Sequence, residues 1–268
     1  MILVINHSLN ITLLCSYLNF LMSFNKLNRK LKRIKMKRAI YLLVFVAVSM
    51  LATSNLFGQS TKETRNVSGF SEIGYGIAGN LYIKTGPEFS VVLEGDKKYL
   101  SLVETSVKNG KLVIRTDNYR LFNNERANVY ITLPELKGLG VSGSGDAQVE
   151  NNLKNEALNL HVSGSGKIFV PEVITGSLNC SISGSGDIII KGVGDIDKGD
   201  ISISGSGRYS GESAKFKSLR VGISGSGNCT CNVVESLNVS ISGSGNVYYS
   251  GDPKIDARVS GSGHVKSR

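Results

Sequence analysis

The tetrapeptide Ser142-Gly143-Ser144-Gly145 returns with its first serine at Ser163, Ser183, Ser204, Ser224, Ser242 and Ser260. Seven copies at intervals of 21, 20, 21, 20, 18 and 18 residues are a structural period. A period of this size belongs to stacked repeats, in which each unit buries its apolar face only against its neighbours. The repeat therefore constrains the fold far more tightly than it constrains the activity.

Counting each unit from its first serine as position zero, position −1 is Val141, Val162, Ile182, Ile203, Ile223, Ile241 and Val259. Position −3 is Leu139, Leu160, Cys180, Ile201, Val221, Val239 and Ala257, and position +5 is Ala147, Ile168, Ile188, Tyr209, Cys229, Val247 and Val265. Odd positions are apolar and predict an inward face, whereas +4 is Asp146, Lys167, Asp187, Arg208, Asn228, Asn246 and His264. Strict two-residue alternation rich in Val and Ile is the pattern of strands, since a helical face recurs at three and four. The two glycines share the inward parity, which predicts that the chain bends there or passes close to the axis. Tight-turn signals between copies are inconsistent, so a hairpin meander is disfavoured. The pattern predicts an all-β parallel β-solenoid, right-handed by the general rule for parallel crossovers, with one coil of about 20 residues per repeat.

The serines fall on the outward parity. Stacking aligns Ser142, Ser163, Ser183, Ser204, Ser224 and Ser242 into one hydroxyl row and Ser144, Ser165, Ser185, Ser206, Ser226 and Ser244 into a second. With the seventh copy included, this predicts a flat double ladder about 29 Å long at the usual strand spacing. It is the one extended surface feature the repeat itself creates, and it is the candidate binding surface. A Ser row also resembles the outward Thr-x-Thr rows of ice-binding solenoids, without their methyl groups. The bland account is that Ser is a small polar residue tolerated beside a bend, its hydroxyl bonding locally to backbone.

A formal net charge of +10 would ordinarily invite a nucleic-acid reading. The charge is uneven, however: residues 1–59 hold Lys26, Arg29, Lys30, Lys32, Arg33, Lys35, Lys37 and Arg38 and no acidic residue, leaving 23 basic against 21 acidic residues afterwards. No nucleic-acid partner is expected for a part of nearly balanced charge. Met36-Lys37-Arg38, the apolar run 39–52 and the polar stretch to Gln59 have the three regions of a secretory signal, and the run is short for a membrane span. Cleavage is placed near Gly58, with Ser54 as the alternative. Residues 1–35 then read as an extension upstream of the true start at Met36. The rival reading makes 2–24 and 39–52 two membrane segments with a basic cytoplasmic loop between them. No Cys follows the apolar run, so a lipid anchor is not expected, and membrane contact is confined to the leader.

The part from Ser60 onward is long enough for one sizeable domain, read as an N-terminal β region over 60–140 and the repeat solenoid over 141–268. An exported chain favours disulfides, but Cys229 and Cys231 are two apart on one strand, and Cys180 lies two coils from Cys229, about 10 Å at the usual strand spacing and beyond bridging reach. All three are expected as small buried hydrophobes.

Before the repeats, strands are predicted at Leu81 to Lys84, Phe89 to Leu93, Leu102 to Lys108, Lys111 to Thr116 and Asn128 to Leu133, with Asn109-Gly110 as a hairpin turn. This region is expected to cover the first coil and protect its edge, and the charges in Lys266-Ser267-Arg268 to discourage pairing at the last. Three segments in order, Arg65-Asn66-Val67-Ser68-Gly69-Phe70, Asn109-Gly110-Lys111-Leu112-Val113-Ile114 and Thr132-Leu133-Pro134-Glu135-Leu136 leading into the first repeat, resemble the auto-transporter adhesin, head GIN domain family of exported bacterial proteins. The likeness covers about residues 65–268. It implies an extracytoplasmic, β-helical protein with an adhesin-type label attached to no defined activity. No translocator barrel follows the last repeat, so the auto-transporter half of that name has no counterpart in these residues.

Gly-Ser-Gly-Asp at Gly143 and Gly184 resembles calcium-binding glycine-rich repeats, but Lys167 and Arg208 occupy the same row as Asp146 and Asp187. A glycosidase or lyase needs a carboxylate pair or a base at fixed separation. Asp195, Asp197 and Asp200 instead form an acidic loop interleaved with Lys191 and Lys198, read as solvated surface. His161 and His264 lie five coils apart and cannot share a metal. No glycine falls where a phosphate loop needs it. One ring of Tyr248-Tyr249 faces outward and could stack on a sugar, although a lone exposed Tyr is ordinarily surface. The residues thus predict no catalytic constellation, metal or cofactor, and an exported, non-enzymatic surface or cell-envelope protein whose partner is a glycan or a surface protein. The alternatives are a carbohydrate-active enzyme on a β-helix and a structural envelope protein without a ligand.

Overall fold

The structure, a computed structural model, describes residues 60–116 and 126–268. The signal segment, its cleavage site, the alternative membrane segments and the extension 1–35 lie outside the described residues. Residues 59–268 form one compact unit.

The repeats build a parallel β-solenoid. Its longest sheet stacks β8 (Gly138–Gly143), β10 (Leu153–Gly164), β12 (Val173–Gly184), β14 (Gly194–Gly205), the later part of β15 (Arg208–Gly225), the later part of β16 (Asn228–Gly243) and β18 (Lys254–Ser260), all parallel. A second sheet stacks β9 (Asp146–Val149), β11 (Lys167–Val170), β13 (Asp187–Ile190), the starts of β15 and β16, β17 (Asn246–Ser250) and β19 (His264–Ser267). Within the long strands the inward-outward alternation breaks at Glu156-Ala157, Gly176-Ser177 and Asp197-Lys198, which marks a further corner and gives the coil a third side. The fall of the period from 20 to 18 is absorbed at this side, by register shifts between Gly211 and Lys215 and between Phe216 and Ser218.

The predicted parity holds. Positions −1, −3 and +5 are buried in every coil but the last, and the zero serines lie in register from Ser142 through Ser163, Ser183, Ser204, Ser224 and Ser242 to Ser260. The two glycines of a unit do different work. At +1, Gly205 has φ 120° and its carbonyl accepts from the Ser226 N–H at 2.9 Å, so this residue makes the bend between the sheets and stitches it to the next coil. At +3, Gly227 is buried, and a Cβ there would stand 2.5 Å from Cγ2 of Ile203 in the coil before. The +3 glycine therefore makes room for the β-branched side chain at −1, coupling two invariants of the repeat that the sequence shows only separately.

The N-terminal region adds coils of its own. β2 (Glu72–Gly76) lies between β8 and β6 (Lys111–Thr116), and β3 (Gly79–Thr85) between β9 and β7 (Ala127–Leu133), every pairing parallel. In space the coil formed by β2 and β3 is thus flanked on both sides by later sequence. Antiparallel strands close this end: β5 (Val103–Lys108) on β6, β4 (Ser90–Gly95) on β7 and β1 (Thr61–Thr64) on β4. The β5–β6 turn is Asn109-Gly110 with φ of 50° and 74°, as its hairpin signal predicts. A single helical turn, α1 (Lys97–Leu100), is capped by the Asp96 carboxylate, which accepts from the N–H groups of Lys98 and Tyr99, and it buries Tyr99 and Leu100. β2 escapes a propensity reading because Gly74 and Gly76 occupy its outward positions.

Candidate functional site

Two outward faces carry continuous rows of side chains. On the long sheet the zero row of serines is accompanied by the −2 row, in which His161, Ser181, Ser202, Gly222 and Ser240 are in register, and by the −4 row of Asn159, Asn179, Asp200, Arg220 and Asn238. Asn179 donates its amide N–H to Asn159 Oδ1 at 2.9 Å, and Asn159, His161, Asn179, Ser181, Asp200 and Ser202 line a shallow depression of about 360 Å³. This arrangement corrects the expected ladder. Ser144, Ser165, Ser185, Ser206, Ser226 and Ser244 sit in the bend opened by the preceding left-handed glycine, not on the strand that carries the zero serines. The two rows therefore do not form one flat surface; the flat pairs are −2 with zero, as in Ser181/Ser183 and Ser202/Ser204.

The second sheet carries an aromatic row that period analysis does not reveal. Tyr130, Tyr82, Gln148, Phe169, Ile189, Ser210, Thr230 and Tyr248 are successive in-register neighbours across its strands, all on outward parity. Tyr82 and Tyr130 stack with centroids 5.2 Å apart and planes at 14°, and Tyr130 is 37% exposed. Tyr130 is fixed by its hydroxyl, which donates to Glu94 Oε2 at 3.0 Å, and by Lys62 Nζ 5.8 Å from its ring centroid. The hydrogen bond to Glu94 raises the phenol above its ordinary range. From Tyr82 to Phe169 is two strand steps, about 10 Å at the usual spacing. Beside this row runs the polar row Asn128, Asn80, Asp146, Lys167, Asp187, Arg208, Asn228 and Asn246, again in register. Asn80 donates to Asn128 Oδ1 at 3.2 Å and Asn246 to Asn228 Oδ1 at 3.1 Å.

The remaining candidates fall elsewhere. Asp195, Asp197 and Asp200 lie on β14, not in a loop, with Asp195 opposite Lys215, Asp200 opposite Arg220, and Asp197 Oδ1 2.5 Å from Lys217 Nζ. The next coil thus sets a basic residue in register with Asp195 and with Asp200 and closes an ion pair on Asp197. His161 is exposed on the long sheet and His264 on the second. Among the described residues no group of three or more His, Cys, Asp or Glu is placed to hold a metal. Cys180, Cys229 and Cys231 are free and buried. The hydrogen bond with Cys231 and burial push the Cys229 thiol well up, and burial raises Cys180. Tyr248 faces outward beneath the Arg268 guanidinium at 6.0 Å, while Tyr249 packs partly buried on the core.

Stacked coils with one capped end and long in-register outward rows define a solenoid whose repeated faces are its working surfaces. The chain belongs to the family named "Putative auto-transporter adhesin, head GIN domain", whose model matches residues 69–253. Among solved structures it is similar to a putative adhesin from Bacteroides fragilis, with 24% identity and a TM-score of 0.73 over 78% of this chain and 97% of that one. It is similar also to a putative adhesin from Parabacteroides merdae, with 20% identity and a TM-score of 0.63 over 79% and 97%. A third is a putative lipid binding protein from Parabacteroides distasonis, with 20% identity and a TM-score of 0.61 over 79% and 98%. These likenesses establish the shared fold. A comparison with curated proteins finds no match. The family and two of these neighbours are named for adhesion, not for an enzymatic activity, and an adhesin-type family is consistent with an exported or surface protein.

Proposed function

We propose that this protein is an exported, non-enzymatic binding module of the cell surface or envelope, and that it holds an extended, uncharged glycan along the second sheet. The observation that carries the reading is the row Tyr130, Tyr82, Phe169 beside the row Asn128, Asn80, Asp146. Pyranose rings present apolar faces that stack on aromatic rings and rims of hydroxyls that bond to amides and carboxylates. An aromatic row flanked by a polar row at strand spacing offers both along one line. Asp146 and Asp187 alternate with Lys167 and Arg208, so the strip carries no large net field that would select a polyanion. The serine faces serve on this reading as scaffold, and the leader supplies export.

The test is a glycan array probed with the unit 59–268, followed by titration of the best polysaccharide. Tyr82→Ala and Phe169→Ser are expected to weaken binding at least tenfold, while Ser204, Ser224 and Ser242 replaced together by Ala leave it unchanged. Loss of binding with the triple serine change and none with Tyr82→Ala would move the site to the long sheet. Release of reducing ends from any bound polysaccharide would replace the binding reading with an enzymatic one.

A further inference from the structure

The last coil is unlike the others. In β18 every residue is exposed, including those on inward parity: Ile255 at 40%, Val259 at 43% and Ala257 between them. Among the described residues β18 pairs only with β16, so its other edge presents unpaired backbone groups beside apolar side chains. The outward residues of the same strand are Lys254, Asp256, Arg258 and Ser260.

We infer that this edge pairs with β18 of a second copy, antiparallel and centred on Ala257, joining two solenoids tail to tail. In that register Ile255 faces Val259 of the copy on the inward side and Ala257 faces its own equivalent. On the outward side Asp256 faces Arg258 and Arg258 faces Asp256. A two-fold axis normal to the sheet keeps inward residues inward, so the apolar core of one copy runs into that of the other and both carboxylates meet guanidiniums. The alternatives are worse. Centring on Asp256 or on Arg258 sets that residue against its own copy with like charge, and centring on Ile255 brings Pro253, which has no N–H, into the ladder. A slip of the pairing by a single residue turns apolar residues onto the polar face. The charges of this strand thus select one antiparallel register. Such a contact is isologous and closes as a dimer, and it extends the outward rows of the long sheet across the junction. The inference does not depend on the glycan reading, since it uses neither aromatic nor serine rows.

The test is sedimentation equilibrium of the unit 59–268, whose core is self-contained, from 1 to 200 µM. A monomer–dimer equilibrium is expected. Asp256→Arg and Arg258→Asp, each made alone, set like charges opposite one another and are expected to weaken association at least tenfold; the double exchange restores the pairing and is expected to recover it. Circular dichroism of each variant separates loss of pairing from loss of fold. Ala257→Cys adds an orientation-specific probe, because directly opposed Cα atoms in antiparallel strands lie about 4.5–5.5 Å apart, within disulfide reach, and the native thiols are buried. A covalent dimer on mild oxidation supports the register. A monomer throughout the range, a dimer indifferent to Asp256→Arg, or a double exchange that fails to recover association would each overturn it.

Discussion

Replacing Ile203 and Gly227 by alanine, singly and together, tests the lock between coils. Ile203 is 1% exposed and lies between Ile182 and Ile223 in register. Truncating it removes three carbons from a filled interior, which costs about 2–5 kcal/mol. At Gly227 a Cβ would meet Ile203 Cγ2 at 2.5 Å and the Gly207 carbonyl oxygen at 2.8 Å, an overpacking worth about 1–3 kcal/mol. In the double variant the added methyl moves into space vacated by Cγ2, so only the carbonyl contact remains. The two costs are then expected to sum to about 1 kcal/mol more than the double variant shows. Gly225→Ala is the control: its φ of 123° and the Gly205 oxygen 2.5 Å from the added carbon are both backbone constraints that Ile203→Ala cannot relieve. Urea unfolding followed by circular dichroism reads the wild type, the three single variants and the two double variants that pair Ile203→Ala with Gly227→Ala or Gly225→Ala. Additivity within about 0.5 kcal/mol for the Ile203 and Gly227 pair, or equal rescue of Gly225→Ala, would refute the claim that the +3 glycine exists to admit the −1 side chain.

The other expectations are simpler. Ile203→Asp places a carboxylate in the dry core and should cost several kcal/mol, whereas Ser204→Asp, one residue away and exposed, should leave the melting temperature nearly unchanged; equal melting temperatures would invert the parity. The Tyr209 hydroxyl is buried without a hydrogen-bond partner, so Tyr209→Phe should stabilise the fold by about 1 kcal/mol, and a lower urea midpoint would reveal a partner. The hydrogen bond with Cys231 and burial raise the Cys229 thiol, burial raises Cys180, and all three sulfurs are buried away from solvent, so a disulfide reagent at pH 8 should react with none of Cys180, Cys229 and Cys231 in the native unit and with all of them in urea. Rapid native reaction of any one would show that its coil opens.

What the sequence discloses is local and periodic. The alternation of Val and Ile with polar residues specifies strand, parity and stacking direction, because each coil contacts neighbours about 20 residues away. The placement of Glu72–Gly76 between strands that follow it in the chain is invisible to such reading: it rests on contacts between segments with different sequences. The row Tyr130, Tyr82, Phe169 was hidden for the same reason, since two of its members precede the repeat and only register brings them beside the third. A bend or a close approach was legible at the paired glycines, but parity assigns both inward, and only the backbone shows that +1 turns the chain while +3 makes the close approach. Asp195, Asp197 and Asp200 read as loop because charge density suggests solvent, yet charges opposed by Lys215 and Arg220 sit comfortably on a strand.

The position of β2 and β3 between two sets of strands that both follow them in the chain also sets an order of assembly. A chain that emerges N-terminus first presents these strands with both edges bare until residues 111–116 and 127–149 have followed, and the loops that must close to satisfy them span tens of residues. From β10 onward each coil can settle on the finished one beneath it as soon as its own 20 residues are free. The slow, entropically expensive step is therefore confined to roughly the first ninety residues of the unit, and the rest is accretion. A lesion at Ile73 or Leu112 should then slow refolding, whereas one at Val239 should mainly hasten unraveling from the far end.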